Sequence, residues 1–167
     1  MLREESAMPP VVLAAVRNIL PLACAYYLSF LFRMINAVLA HDVAQTMGLG
    51  AASLGIMTSA YFLAYAGASL PLGVMLDRYG PRRVQGCLML VAALGAALFA
   101  IADSVVVLYV GRALIGVGVA GGLMAGLKAI VMWVPRRRVP TVTGCFYLVG
   151  ALGATSATTP AEMLRRA

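Results

Sequence analysis

Gly73-Val74-Met75-Leu76-Asp77-Arg78-Tyr79-Gly80-Pro81-Arg82-Arg83 decides the fold. It is a charged, glycine-punctuated stretch between two long apolar runs. Gly80 can take the left-handed backbone conformation that a tight reversal wants. Pro81 suits the first turn of a helix, where its missing N–H costs nothing. The stretch reads as a short loop joining two helices, with Arg82 and Arg83 anchoring the second. Gly73 is expected to let a neighbouring helix approach near the end of the first.

The flanking runs belong to a membrane. Of 167 residues, 62% are hydrophobic and only 11% charged, against about half and about a quarter in soluble domains. The mean hydropathy is +0.93. A soluble core of this size cannot hide so much apolar surface, whereas a bilayer can. The net charge of +7 sits in clusters between apolar runs. That favours anchoring at a membrane face over a nucleic-acid partner. Cys24, Cys87 and Cys145 lack metal-ligand spacing and read as buried small apolar residues. No nucleotide loop, metal cluster or nucleophile–base arrangement is present, so neither an enzyme nor a cofactor is expected.

A spanning helix needs about 20 apolar residues. Five segments qualify, near 18–40, 51–76, 83–102, 105–134 and 141–159. Residues 1–17 form an N-terminal segment and 161–167 a tail. Arg3, Glu4 and Glu5 mix charge signs, and the apolar run after Arg17 is too long for a signal-peptide core, so the first span reads as uncleaved. Arg3 and Arg17 precede span one, Arg78, Arg82 and Arg83 separate spans two and three, and Arg136 to Arg138 separate spans four and five. The other loops hold His41, Asp42 and Asp103 without Lys or Arg. The alternation places the N-terminus in the cytoplasm, and Arg165 and Arg166 then fall on the outside against the rule.

Polar faces mark a solute path. Tyr26, Ser29, Arg33 and Asn36 lie at spacings of three, four and three, which is one helical face. An arginine deep in a span costs about 2.5–3.5 kcal/mol on insertion scales and faces a cavity or a partner. Arg33 suits a carboxylate or phosphate, which a guanidinium grips bidentately. The competing reading is an internal ion pair or a side chain reaching the outer interface. Thr58, Tyr61, Tyr65 and Ser69 make a second such face, open to either binding or packing. No Asp or Glu lies mid-span, which together with Arg33 favours an anionic solute.

Span four reads Gly111-Arg112-Ala113-Leu114-Ile115-Gly116-Val117-Gly118, continuing to Gly122 and Gly126. Small residues four apart let membrane helices touch closely. Arg112 is either a helix–helix hydrogen-bond donor or part of the path. Lys128, sixteen residues on, lies on a nearly opposite face, so both line one cavity only if the helix bends. Lys128 either contacts solute or reaches the cytoplasmic face. Gly144, Gly150 and Gly153 in span five look like close-packing positions, and Tyr147 is a weaker cavity candidate.

The loop pattern is Gly, three residues, Asp, a basic residue, one residue, Gly, then basic residues. It resembles the signature loop between helices 2 and 3 of the major facilitator superfamily of secondary transporters. Arg112 followed by Gly116 resembles that family's fourth-helix motif. The resemblance runs from about Arg17 to Leu164. It implies an all-α polytopic membrane fold, here the first five of twelve helices and so an incomplete N-terminal half. It also implies alternating access at a site between two halves. Arg33, Asn36, Tyr65 and Lys128 are then expected to bind solute. Gly73, Asp77, Arg78, Gly80, Arg82 and Arg83 form the gating loop, with Asp77 latching onto a helix of the other half. Pro81 stands where many members carry Arg, which lowers the charge density. With that half absent, Asp77 is expected to be unlatched.

Arg33 looks similar to the phosphate-contacting arginine of organophosphate antiporters, although Met34 and Ile35 follow it instead of a more polar pair. The expected function is secondary transport of a small organic anion in a bacterial inner membrane, with this chain a fragment inactive alone. Its expected partners are the bilayer, the solute and the missing C-terminal half. The alternatives are a small non-transporting assembly or regulatory membrane protein, and a drug or metabolite exporter of the same family.

Overall fold

The structure, a computed structural model, describes residues 17–34 and 48–166, with side chains as far as residue 156. Every regular element among these is helical. Helix α1 covers residues 17–34. It is followed by α2 (Ala51–Tyr79), α3 (Pro81–Ala100), α4 (Val105–Val119), α5 (Gly122–Trp133), a 3₁₀ turn (Arg136–Arg138) and α6 (Val139–Arg166).

Four stretches among the described residues are long and apolar enough to cross a membrane: Ala51–Tyr79, Pro81–Ala100, Val105–Trp133 and Arg136–Ser156. The expected first span continues into residues 35–40, which lie outside the described residues. The α2–α3 reversal forms as its sequence dictates. Gly80 sits at φ 80°, where a side chain would be strained, and Pro81 occupies the first turn of α3. At the other end of α3, Ser104 caps α4 by accepting a hydrogen bond from the Val107 N–H at 3.4 Å.

Two boundaries differ from expectation. Span four is divided: α4 ends at Val119 and α5 begins at Gly122. At the joint the Ala120 N–H turns back to the Val117 carbonyl at 3.2 Å, a three-residue step, and regular bonding resumes with Ala125 N–H to Gly121 O at 2.8 Å. The paired glycines Gly121 and Gly122 make such an interruption easy. Helix α6 runs on past Pro160, the expected end of span five, to Arg166.

Two side-chain contacts gather one end of the bundle. Arg82 at the start of α3 donates to the Asn18 Oδ1 at the start of α1, 3.1 Å away. Lys128 in α5 pairs with Asp77 at the end of α2. The helix ends carrying the arginine-rich loops therefore share one face, as alternating crossings require.

Span four is the centre. In its most apolar window 61% of residues are buried, against 17% in α2 and in the fifth span. Its glycines explain this, because each admits a different neighbour. A Cβ on Gly116 would overlap the backbone carbonyl of Tyr61 in α2. One on Gly118 would stand 2.6 Å from the Ala92 Cα of α3, and one on Gly122 3.0 Å from the Ser29 Oγ of α1. One on Gly126 would enter the Phe146 ring of α6. Lipid offers little hydrophobic drive for helix association, so this close approach supplies the packing contacts. Gly73 behaves otherwise: a Cβ there meets nothing within 4 Å, so no described helix approaches it. Gly144 is likewise open, whereas Gly150 and Gly153 pack against Tyr26 and Tyr27. The three cysteines, expected to be buried, are all exposed on the outside of the bundle.

Candidate functional site

A cavity of about 130 Å³ lies where α1, α2 and span four meet. Helix α1 contributes Tyr26, Ser29 and Arg33, and α2 contributes Tyr61 and Tyr65. The two polar faces read from the sequence thus converge on one space. Span four contributes Val119 and Leu123, which flank its interruption.

Each wall residue is held by a local cause. Ser29 donates its hydroxyl to the Ala25 carbonyl one turn back, at 2.8 Å. Tyr26 stacks on Phe146 of α6, with ring centroids 4.6 Å apart, and meets Phe30 edge-on at 5.0 Å. Tyr61 is pinned from behind, since Gly116 brings span four against its backbone. Its ring meets Phe62 edge-on at 5.1 Å and stacks with Tyr65 at 6.4 Å. Thr58 and Ser69 share that face but bond back to their own helix, at the carbonyls of Leu54 and Tyr65.

Arg33 is exposed, and its guanidinium carbon lies 5.6 Å from the centre of the Phe62 ring. A ring face stabilises a cation without neutralising it. The charge remains available, and no carboxylate pairs with Arg33 among the described residues. Counted from residue 17 at the arginine-rich face, Arg33 stands about 24 Å up the helix.

Arg112 is placed elsewhere. It is 5% exposed, and its guanidinium carbon sits 5.6 Å from the Phe99 ring centre in α3. Its Nε has no hydrogen-bond partner among the described residues. It belongs to the α3–α4 contact and does not line the cavity.

Lys128, expected among the solute-binding residues, is not brought to the cavity. It lies in α5 towards the arginine-rich face and pairs with Asp77. Asp77, expected to be unlatched, is engaged within this chain, by the adjacent span. Arg78 rests over the Tyr79 ring at 5.5 Å, and Arg82 holds α1 through Asn18. Asn36 lies outside the described residues. Tyr147 is largely exposed and apart from the cavity.

The sequence reading singled out Tyr65 for binding but not Tyr61, although both lay on one marked face. The spacing signalled the face, while burial distinguishes the two residues. Among the described residues no group of His, Cys, Asp or Glu is arranged to hold a metal.

The sequence model of the Major Facilitator Superfamily matches residues 22–161. The chain is 33% identical over 122 residues to a nitrate/nitrite transporter of Picosynechococcus, a match covering 73% of this chain and 23% of that protein. It is 31% identical over 110 residues to a probable sulfoacetate transporter of Cupriavidus necator, covering 66% and 26%. To a probable L-galactonate transporter of Escherichia coli it is 29% identical over 129 residues, covering 77% and 28%. The chain thus spans about a quarter of the length of these relatives. No solved structure matches it.

Proposed function

This chain belongs to the major facilitator superfamily, and we propose that the whole protein is a secondary transporter of a small organic anion working by alternating access. The observation that carries the reading is Arg33, an exposed arginine of α1. It lines a cavity with Tyr26, Ser29, Tyr61 and Tyr65 and is backed by the Phe62 ring, with no carboxylate partner among the described residues. A cation with no carboxylate partner among the described residues is suited to receiving one from the solute. The sulfoacetate and galactonate transporters among its relatives point the same way.

In this reading Arg33 grips a carboxylate or sulfonate through two parallel N–H bonds. Tyr65, with Asn36, three residues after Arg33 in the sequence, completes the polar wall. Further helices of the same transporter supply the opposite wall, and this chain alone does not transport. The arginine-rich face is cytoplasmic, with the N-terminus there and the protein in a bacterial inner membrane. Asp77 and Arg78 gate that side. Asp77 exchanges its bond to Lys128 for one to the other half when the cytoplasmic side closes.

Uptake by the whole protein in proteoliposomes tests this. With Arg33→Ala, transport of organic anions is lost while the protein still inserts and purifies as a single species. Anion uptake that survives Arg33→Ala removes the reading.

A further inference from the structure

Gln85 is buried in α3 with its amide unused. The residue is 2% exposed, and both ends of the amide, Oε1 and Nε2, lack a hydrogen-bond partner among the described residues. Its place is specific. A Cβ built on Gly121 would stand 3.1 Å from the Gln85 Oε1, so the amide oxygen lies beside the interruption of span four. Gly121 is the N-cap residue of α5, and no side chain caps it there.

A break in a helix frees two kinds of group. The N–H groups of the first turn of α5 and the last carbonyls of α4 have no regular partner within their own helices. The Ala120 N–H turns back to the Val117 carbonyl, and regular bonding resumes only at Ala125. Interrupted backbone inside a membrane draws its partners from neighbouring helices. A side-chain amide suits that task, since it carries an acceptor and a donor at one tip. An unpaired amide and a freed stretch of backbone thus lie side by side, both inside the bundle.

The joint has two faces. Gly121 turns to Gln85 and Leu88 of α3, while Val119 and Leu123 on either side of it line the cavity. Gln85 itself does not line the cavity, so it acts on the solute path through span four.

We propose that Gln85 is a positioning residue for transport, a latch on the joint of span four. In one state of the cycle its Oε1 accepts from an N–H of the first turn of α5 and its Nε2 donates to a closing carbonyl of α4, which holds the joint at a second angle. The structure shows the released state. Leaving the amide unpaired disfavours that state, so the latch biases the two populations. The inference rests on the alternating-access reading above and names the group that sets the span-four side of the cavity.

Spin labels on the whole protein in detergent test it. Leu90 in α3, Val106 in α4 and Val131 in α5 are all exposed and take labelled cysteines in a background freed of other cysteines. The Leu90–Val131 pair spans the joint, and the Leu90–Val106 pair does not. With Gln85 in place the spanning pair shows two distance populations. Gln85→Met, similar in length but without the amide, shifts their ratio by about fivefold or more towards the one that matches the structure. The Leu90–Val106 distances stay as they were.

A single population with Gln85 in place overturns the inference. So does a ratio that Gln85→Met leaves unmoved, or a change in both pairs together, which marks general loosening. Gln85→Leu repeats the measurement if Gln85→Met does not purify as a single species. Failure of both variants to do so shows that the amide serves the fold, and the latch is then refuted. No solute enters these measurements. Uptake by Arg33→Ala decides the anion reading separately, and its result leaves the distances untouched.

Discussion

The Lys128 ammonium and the Asp77 carboxylate form an ion pair across fifty-one residues of sequence, joining α5 to the end of α2. The Asp77 side chain is 77% exposed and that of Lys128 26%. The pair is therefore solvated on one side and easily exchanged. Exposed pairs of this kind contribute about 0.2–1 kcal/mol. A contact of that strength contributes little to holding the fold, which fits the gating role proposed for Asp77.

A double-mutant cycle with Asp77→Asn and Lys128→Met checks the pair. Each single change is expected to lower stability in detergent by no more than about 1 kcal/mol. The combined loss should fall short of the sum of the two. Strict additivity would show that the charges do not interact.

Glycines in the same chain should respond in opposite ways. Gly118→Ala drives a methyl into the Ala92 backbone, which cannot yield as a flexible side chain does, and is expected to cost about 1–3 kcal/mol. Gly73→Ala meets open space inside α2 and should be neutral or stabilising by up to about 1 kcal/mol through helix propensity. Unfolding of both variants in a denaturing detergent series measures the contrast. Equal effects would contradict the packing around span four.

Phe146 and Tyr147 are adjacent but face opposite surroundings. Phe146 is 2% exposed and Tyr147 48%. Phe146→Ala removes the ring stacked on Tyr26 and is expected to destabilise by about 3–5 kcal/mol. Tyr147→Ala should change stability by about 0.5 kcal/mol or less. Thermal midpoints of the two variants in the same detergent decide the matter.

The proposed orientation predicts the behaviour of reporter fusions. A cytoplasm-active reporter joined after Gly80 or Arg137 should be active, and one joined after Asp103 inactive. A reporter active only outside should give the reverse. Matching signals at Gly80 and Asp103 would break the alternation of crossings.

The architecture was readable from the sequence wherever local chemistry decided it. Gly80-Pro81 specifies the α2–α3 reversal by backbone geometry alone, and apolar run length specifies the spans. The two polar faces were readable because helical periodicity places Tyr26, Ser29 and Arg33 in line, and likewise Tyr61 and Tyr65. What escaped depends on neighbours. Lys128 has a partner fifty-one residues away, and no spacing rule reports it. Gly73 looks like the other glycines in one dimension, and only the packed bundle shows its outward face open. The cysteines were expected inside because apolar residues bury in water, but in a spanning helix the apolar exterior is as hospitable as the interior. The division of span four is the subtlest case. Gly121-Gly122 permits it, but Ala-Gly-Gly stretches also occur in unbroken membrane helices.

That division falls between Val119 and Leu123, both of which face the chamber shared with α1 and α2. The chamber is built around an elbow. Under the proposed alternating access, a bend at this elbow would change the chamber's width, because the joint and the chamber's wall are one piece of chain.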